Sequence, residues 1–229
     1  MPIDRVCLTK TTLIDYPGEV AAVVFTSGCN LRCPYCHNPE LVKGPVPEEA
    51  ITLAEFKAFL EKRKNVLGGV CITGGEPLIH DNLPDLIWMI QSRGLKVKLD
   101  TNGTFPERLK KLKPDYIAMD FKTAPEKYPI LGLSNPENIL KSIDIIIKSG
   151  IAHEFRVTAV PGIVDLGDIE VMADLISGSD LFVIAGFRPG VVLDPAFKDI
   201  APYPEKSILA MAAAARQKGL EVKVRLNSI

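Results

Sequence analysis

Apolar residues recur along this chain in two rhythms. Short aliphatic and β-branched runs at 19–25 (EVAAVVF), 69–73 (GVCIT), 95–100, 115–121 (DYIAMDF), 154–160 and 180–187 alternate with longer amphipathic stretches. Short runs of this kind suit strands, and the amphipathic stretches between them suit crossover helices. The alternation predicts an α/β fold with a parallel sheet of six βα units, an open barrel short of the eight units that close one. Residues 3–10 predict an extra strand turning back through Asp15-Tyr16-Pro17-Gly18, and 220–226 (LEVKVRL) predict a last one.

Helix signals fall between the strands. Thr52 and Glu55 form a T-x-x-E capping box at the start of ITLAEFKAFLEKRK. Asn135-Pro136 places a cap and a first-turn proline before a helix that stops near Gly150. Further helices are expected at about 82–93, 106–112, 167–177 and 204–218. The stretches 38–50 and 122–135, rich in Pro and Gly, read as loops. No linker or solenoid-length repeat interrupts the pattern, so residues 1–229 are expected to form a single domain.

Composition narrows the function classes. A chain of 229 residues, 47% of them hydrophobic, builds one sizeable core. With 27 basic and 28 acidic residues the net charge is -1, so no overall field favours nucleic acid or an anionic membrane. The N-terminus Met1-Pro2-Ile3-Asp4-Arg5 has no secretory pattern and no later run is long and apolar enough for a bilayer, which predicts a cytoplasmic protein.

Five cysteines are an odd number, and three of them crowd into eight residues, a poor match to a disulfide framework. Cys29-Asn30-Leu31-Arg32-Cys33-Pro34-Tyr35-Cys36 follows directly on a predicted strand, where α/β barrels carry their chemistry. Three thiolates at C-x-x-x-C-x-x-C spacing can hold three irons of a four-iron cluster and leave the fourth open for a substrate. The rival is zinc, held by these cysteines with His37, Cys7, Cys71 or His80. It lacks the paired C-x-x-C knuckles or the histidine pair that zinc sites use. Cys7 and Cys71 lie in strand-like apolar runs and are expected in the core as small hydrophobes.

The cysteine motif, followed by Gly74-Gly75-Glu76-Pro77 after the second barrel strand, resembles the radical S-adenosylmethionine (radical SAM) superfamily. The stretches SGCNLRCPYCHNPELV (27–42) and IDYPGEVAAVVF resemble the activating proteins of anaerobic ribonucleoside-triphosphate reductase. The similarity continues through Asp100-Thr101-Asn102-Gly103, Met119-Asp120-Phe121-Lys122 and Arg156-Val157-Thr158-Ala159-Val160-Pro161-Gly162. The resemblance implies a partial (β/α)6 radical-SAM barrel with short N- and C-terminal additions. It also implies a 4Fe-4S cluster on Cys29, Cys33 and Cys36, whose open iron is chelated by the amino and carboxylate groups of S-adenosylmethionine.

The same resemblance distributes roles around the ligand. Gly74 and Gly75 let backbone carbonyls approach its ammonium, beside Glu76 and Pro77, although Gly-Gly-Glu is also a turn before a helix. Tyr35 offers an aromatic edge to the adenine or packs beneath the cluster loop. Thr101 and Asn102 hydrogen-bond the ribose or the carboxylate, or mark an ordinary turn. Asp100, Asp120 and Lys122 stand at predicted strand ends; Asp120 and Lys122 are assigned to the ligand side and Arg156 to its carboxylate, with structural salt bridges as the alternative.

One departure stands out. Some related activases carry a histidine at the end of the sixth strand, where this chain has Phe187-Arg188-Pro189-Gly190, with Arg188 as the polar group available. This weakens carry-over from the pyruvate formate-lyase activases. The implied reaction begins when an external one-electron donor such as flavodoxin or ferredoxin reduces the cluster. The cluster cleaves S-adenosylmethionine to methionine and a 5′-deoxyadenosyl radical. That radical takes a hydrogen atom from a glycine of a partner glycyl-radical enzyme, with anaerobic ribonucleotide reductase the expected partner. The alternatives are a radical SAM enzyme acting on a small molecule, such as a 7-carboxy-7-deazaguanine synthase, and an iron–sulfur electron carrier. The glycine-rich motif argues against the carrier, which needs no sulfonium pocket.

Overall fold

A computed structural model describes residues 2–44 and 46–226; residue 45 of the expected 38–50 loop, residue 1 and residues 227–229 lie outside the described residues. The chain divides into two compact units: Met1–Asn30, Glu40–Thr101 and Glu107–Ile117 form the first, and Leu31–Pro39, Asn102–Pro106 and Ala118–Ile229 the second.

The first unit contains β1 (Arg5–Thr12), β2 (Ala21–Thr26), α1 (Pro39–Lys43), β3 (Ile51–Thr52), α2 (Leu53–Arg63), β4 (Gly69–Gly74), α3 (Leu83–Gln91) and β5 (Lys96–Thr101). Its strands are ordered β3-β1-β2-β4-β5. β1 runs antiparallel to β2 and β3, while β2, β4 and β5 are parallel, in register from Ala21 opposite Gly69 to Thr26 opposite Gly74. β2 and β4 bury nearly every side chain, which is why they read as continuous apolar runs rather than alternating ones. α2 starts where its capping box places it: Thr52 Oγ1 accepts the Glu55 N–H and Glu55 Oε2 accepts the Thr52 N–H. Its inward stripe is Phe56 and Leu60, four residues apart and fully buried, each contributing about 1.5–3 kcal/mol of apolar burial.

α4 (Pro106–Leu109) and β6 (Tyr116–Asp120) straddle the division. The second unit continues with α5 (Glu137–Lys148), β7 (Ala152–Ala159), α6 (Leu166–Leu175), β8 (Phe182–Gly186), α7 (Glu205–Gln217) and β9 (Val222–Arg225). β7, β8 and β9 are parallel neighbours, and Phe155, Phe182, Ile184, Ile146 and Met172 are fully buried.

Several expectations change. The 38–50 stretch contains the short helix α1, and 122–135 contains a 3-10 helix, Pro125–Leu131, closed by Gly132 in the left-handed region. Both helices open on a proline, a residue that suits the first turn as well as a loop. The helix expected at 106–112 contracts to four residues. Pro136 occupies the N-cap position of α5 rather than its first turn, and Asn135 Oδ1 caps from outside by accepting the Glu137 N–H at 2.9 Å. α6 carries a second capping box, Asp165 with Asp168. The sequence reading passed over it because it sought Glu or Gln at the third position. Among the described residues no helix is long and apolar enough to cross a membrane.

Candidate active site

The cysteine loop leaves β2 after Thr26 under tight backbone control. Gly28, at φ +89°, donates its N–H to the Leu41 carbonyl (2.6 Å) and accepts the Glu76 N–H on its own carbonyl (2.8 Å). His80, buried, donates from Nε2 to the Ser27 carbonyl at 2.9 Å, a bond that places the proton on that nitrogen. Three contacts therefore fix the chain just ahead of Cys29. A Cβ on Gly75 would lie 1.9 Å from the Gly28 oxygen, and one on Gly74, itself at φ +114°, would lie 2.5 Å from the Thr26 nitrogen and oxygen. The paired glycines are thus required by backbone packing of the turn against the cysteine loop, a reason distinct from the ligand access inferred from sequence.

Within the second unit the rest of the loop is held separately. Arg32 N–H bonds the Leu131 carbonyl (2.8 Å), Cys36 N–H the Cys33 carbonyl (3.0 Å), and Asp194 N–H the Pro34 carbonyl (2.9 Å). His37 stacks on Phe187, with its Nε2 2.9 Å from the Arg188 carbonyl. Arg188 therefore meets this loop through its backbone.

None of the five cysteines is in a disulfide; Cys33 is buried and Cys29 and Cys36 are half-buried. Cys71 is in the core as expected, but Cys7 is only half-buried and lines a surface cleft. Among the described residues no three His, Cys, Asp or Glu side chains form a group placed to hold a metal ion. A four-iron cluster carries its own rigid iron–sulfide framework, to which loop thiols can be drawn. The chemistry of the donor set fits that group: three cysteines within eight residues that form no disulfide, with a buried phenol between the last two of them still lacking a partner.

That phenol is Tyr35, buried, its hydroxyl without a hydrogen-bond partner. Burial, reinforced by Cys33, pushes its pKa well above the ordinary tyrosine value, so it stays protonated. Its adenine-edge role gains no direct support from this burial, and the hydroxyl is the group left to satisfy.

Glu76 is fully buried; its Oε1 accepts the Leu78 N–H (3.0 Å) and the Thr101 hydroxyl (2.8 Å). Pro77 opens the 3-10 turn Pro77–Ile79 that Glu76 caps. Asn102 Oδ1 accepts from the backbone and hydroxyl of Thr104, the turn reading of this residue. Asp100, which the sequence grouped with Asp120 and Lys122, pairs instead with Lys98, two residues earlier on the same strand face. Lys98 is also buried, with Nζ 3.8 Å from Cys71 Sγ. The sequence reading missed Lys98, although i and i+2 charges on a strand signal such a pair.

Asp120 ends β6 and bonds Lys122 Nζ through Oδ2 (2.9 Å) and Arg156 Nε through Oδ1 (2.8 Å). Arg156 Nη1 is also 3.8 Å from Glu154. Arg156 lies in the middle of β7. Burial opposes the Asp120 charge, but Arg156 and Lys122 outweigh it and hold the carboxyl well below the usual carboxylate range. Burial likewise opposes the Lys122 charge, and Asp120 overcomes it, holding the ammonium above its ordinary value. The salt-bridge alternative is therefore realised for all three residues.

Of the positions picked from sequence, Cys29, Gly74 to Pro77, Asp100 and Thr101 belong to the first unit, and Cys33, Tyr35, Cys36, Asn102, Asp120, Lys122 and Arg156 to the second.

A model of the Radical SAM superfamily matches residues 23–176, more than half of the chain. The chain belongs to the radical SAM superfamily. It is a radical SAM enzyme, and the cofactors of that family are a 4Fe-4S cluster and S-adenosylmethionine. A Methanocaldococcus jannaschii protein, provisionally named a glycyl-radical enzyme activating enzyme, is 35% identical over 217 residues, 88% of this chain and 87% of its own length. The 7-carboxy-7-deazaguanine synthase of Methanopyrus kandleri is 37% identical over 112 residues, 41% of this chain and 44% of its own. Among solved structures, Streptococcus suis SuiB bound to S-adenosylmethionine superposes with a TM-score of 0.69 at 16% identity, covering 90% of this chain and 50% of that one. At that identity the likeness shows the fold.

Proposed function

We propose that this chain is an activase that places a glycyl radical on anaerobic ribonucleoside-triphosphate reductase. On this reading it works in the cytoplasm as one radical SAM domain, with electrons from flavodoxin or ferredoxin. The observation that carries the reading is the extent of similarity to the M. jannaschii activating enzyme, nearly end to end in both chains, against less than half of either chain for the deazaguanine synthase. The stretch 27–42 supports the reductase branch.

When bound, the cofactors supply the reductive cleavage of S-adenosylmethionine, and the chain binds, orients and excludes water. Cys29, Cys33 and Cys36 would hold the cluster. Backbone carbonyls at Gly74 and Gly75 receive the ligand ammonium, with the Glu76 charge nearby. Thr101, which donates to Glu76, acts by orienting that carboxylate. Arg156 and Lys122 serve the methionyl carboxylate, and Asp120 fixes both cations in place. Asn102 would serve the ribose or the methionyl carboxylate, Asp100 is held in its pair with Lys98, and Tyr35 would meet the adenine, where its buried hydroxyl would gain a partner.

The test is anaerobic reconstitution followed by incubation with reductant, S-adenosylmethionine and the cognate reductase. The expected result is an electron paramagnetic resonance signal of a glycyl radical on the reductase. Product formed from a small molecule with no protein partner would replace this reading with the deazaguanine-synthase type.

A further inference from the structure

The first unit holds a cleft of about 730 Å³ that the cofactor residues do not use. Its position follows from the sheet order. β3 pairs with β1 only at Arg5 and Val6, so among the described residues the outer edge of β1 is open from Cys7 onward. Cys7 and Thr9 project from one face of that strand and Leu8 and Lys10 from the other, yet all four line the cleft. Residues of both faces border the open edge, and Phe25, opposite Cys7 on β2, extends the cleft over the Cys7 and Thr9 face. Its opposite wall is one stripe of α2, Glu55, Ala58, Phe59 and Lys62, spaced as a single helix face.

The cleft has a defined length and polarity. β3 stops it at Val6, and Arg63 stops it at the far end, where its guanidinium donates to Thr11 Oγ1 at 3.1 Å. The open edge is therefore about four residues, or about 13 Å of extended chain. Phe25 and Ile51, both only partly buried, give it an apolar floor, and Phe59 adds apolar surface to the α2 wall. Burial, with Glu49 and Glu40, raises the pKa of Cys7, so that side chain joins the floor as a neutral thiol. Exposed Lys10 and Lys62 mark one end, and Glu49 the other. Glu55 is engaged in the α2 cap.

We propose that this cleft is a strand-addition groove that takes a short extended segment of the polypeptide the enzyme activates, pairing its backbone with the open edge of β1 against α2. The proposal rests on the activase reading. An open edge offers unpaired N–H and C=O groups, and a helix beside it supplies side-chain pockets. Charge complementarity defines the segment: an acidic residue opposite Lys10 and Lys62, and apolar residues over Phe25 and Phe59. An electron donor needs only a brief encounter, whereas a large polypeptide substrate presenting one glycine gains from a second handhold of this kind.

The experiment uses the reconstituted enzyme with two probes, the cognate reductase and the peptide acetyl-Val-Asp-Val-Thr-Val-amide. Hydrogen exchange should slow at residues 7–10 when either binds. Ala58→Arg fills the groove from an exposed helix position, and the double variant Lys10→Glu, Lys62→Glu reverses its charged end. Each should weaken both probes at least tenfold while S-adenosylmethionine cleavage without partner is unchanged. A reductase that acquires its radical and binds both variants as tightly as wild type would overturn the groove and leave the activase reading standing. If no reductase is activated, that reading fails, and the peptide decides: no protection at 7–10 overturns the groove too. A dimer dissociated by Ala58→Arg would assign the edge to a second copy and also overturn the proposal.

Discussion

Glu76 and Asp120 are both acidic residues at the ends of strands, held by opposite means. Glu76 sits in a turn fixed by neutral backbone bonds and by missing side chains, with Gly28 and Gly75 in backbone contact. Asp120 sits among charges, between Lys122 and Arg156, and keeps about 30% of its side-chain surface exposed. The first arrangement tolerates no added atom, because backbone has nowhere to move. The second tolerates reshaping and depends on charge. Shape and charge are thus separate requirements for this enzyme, carried by different units, and they fail differently.

The largest effects should fall on the thiols, which stand outside that contrast. Cys29→Ala, Cys33→Ala and Cys36→Ala should each abolish S-adenosylmethionine cleavage and lower iron content from about four per chain. Cys7→Ala and Cys71→Ala should retain both. A Cys71→Ala protein that folds yet loses its cluster would refute the ligand assignment.

Next comes the shape-built side. Gly75→Ala should destabilise the protein itself by roughly 3 kcal/mol or more, since overpacking here meets a carbonyl rather than a flexible side chain. Thermal unfolding measures it, and a change below about 1 kcal/mol would mean the loop can yield.

The charge-built side should respond in binding. Arg156→Ala should weaken S-adenosylmethionine by about 1.5–3 kcal/mol with iron content intact. Unchanged affinity in a titration would confine Arg156 to its salt bridge. The pH dependence follows from the two shifts. Asp120, depressed in the folded state, contributes fully above its unfolded value of about 3.9 and fades only as acid titrates it. Lys122, raised, contributes fully below about 10.4 and fades only as base removes its proton. The stability difference between wild type and Asp120→Asn should therefore be flat between about pH 5 and pH 9. A marked slope in that range would assign the difference to another group.

The smallest effect is expected from Tyr35→Phe. Removing a buried hydroxyl without a partner should leave stability unchanged or raise it by about 1 kcal/mol. If S-adenosylmethionine affinity falls in the same variant, the ligand is the partner that the hydroxyl lacks in the protein.

Strands β2, β4 and β8 were legible because burial on both faces makes them continuous apolar runs, whereas β5 and β7 carry charged residues within them and were legible from the apolar residues between those charges. The capping box of α2 was legible because its two side chains are local in sequence. The loss of detail began where the deciding partner is distant. The sequence showed two glycines but not Gly28 against Gly75, and it showed Asp100 but not Lys98 as its partner. Arg156 was legible as a strand residue, but its partner Asp120 lies 36 residues away and was not. His80 was considered only as a ligand for zinc, because a lone histidine after a turn carries no pattern of its own, and its bond to Ser27 is what gives it a place. The short helices at Pro39 and Pro125 were hidden by prolines that serve loops and first turns alike.

The contact between Gly28 and Gly75 also sets a rule for recombining this enzyme with its relatives. Segments 26–28 and 74–76 meet backbone to backbone, so they behave as one inheritable block although 45 residues of chain lie between them. A chimaera joined between them would combine a cysteine loop from one parent with a glycine turn from the other. It would be viable only where both parents route the two segments identically. Crossovers placed before residue 26 or after residue 76 keep the block whole, and libraries built that way should yield more folded, cluster-bearing progeny than those cut in between.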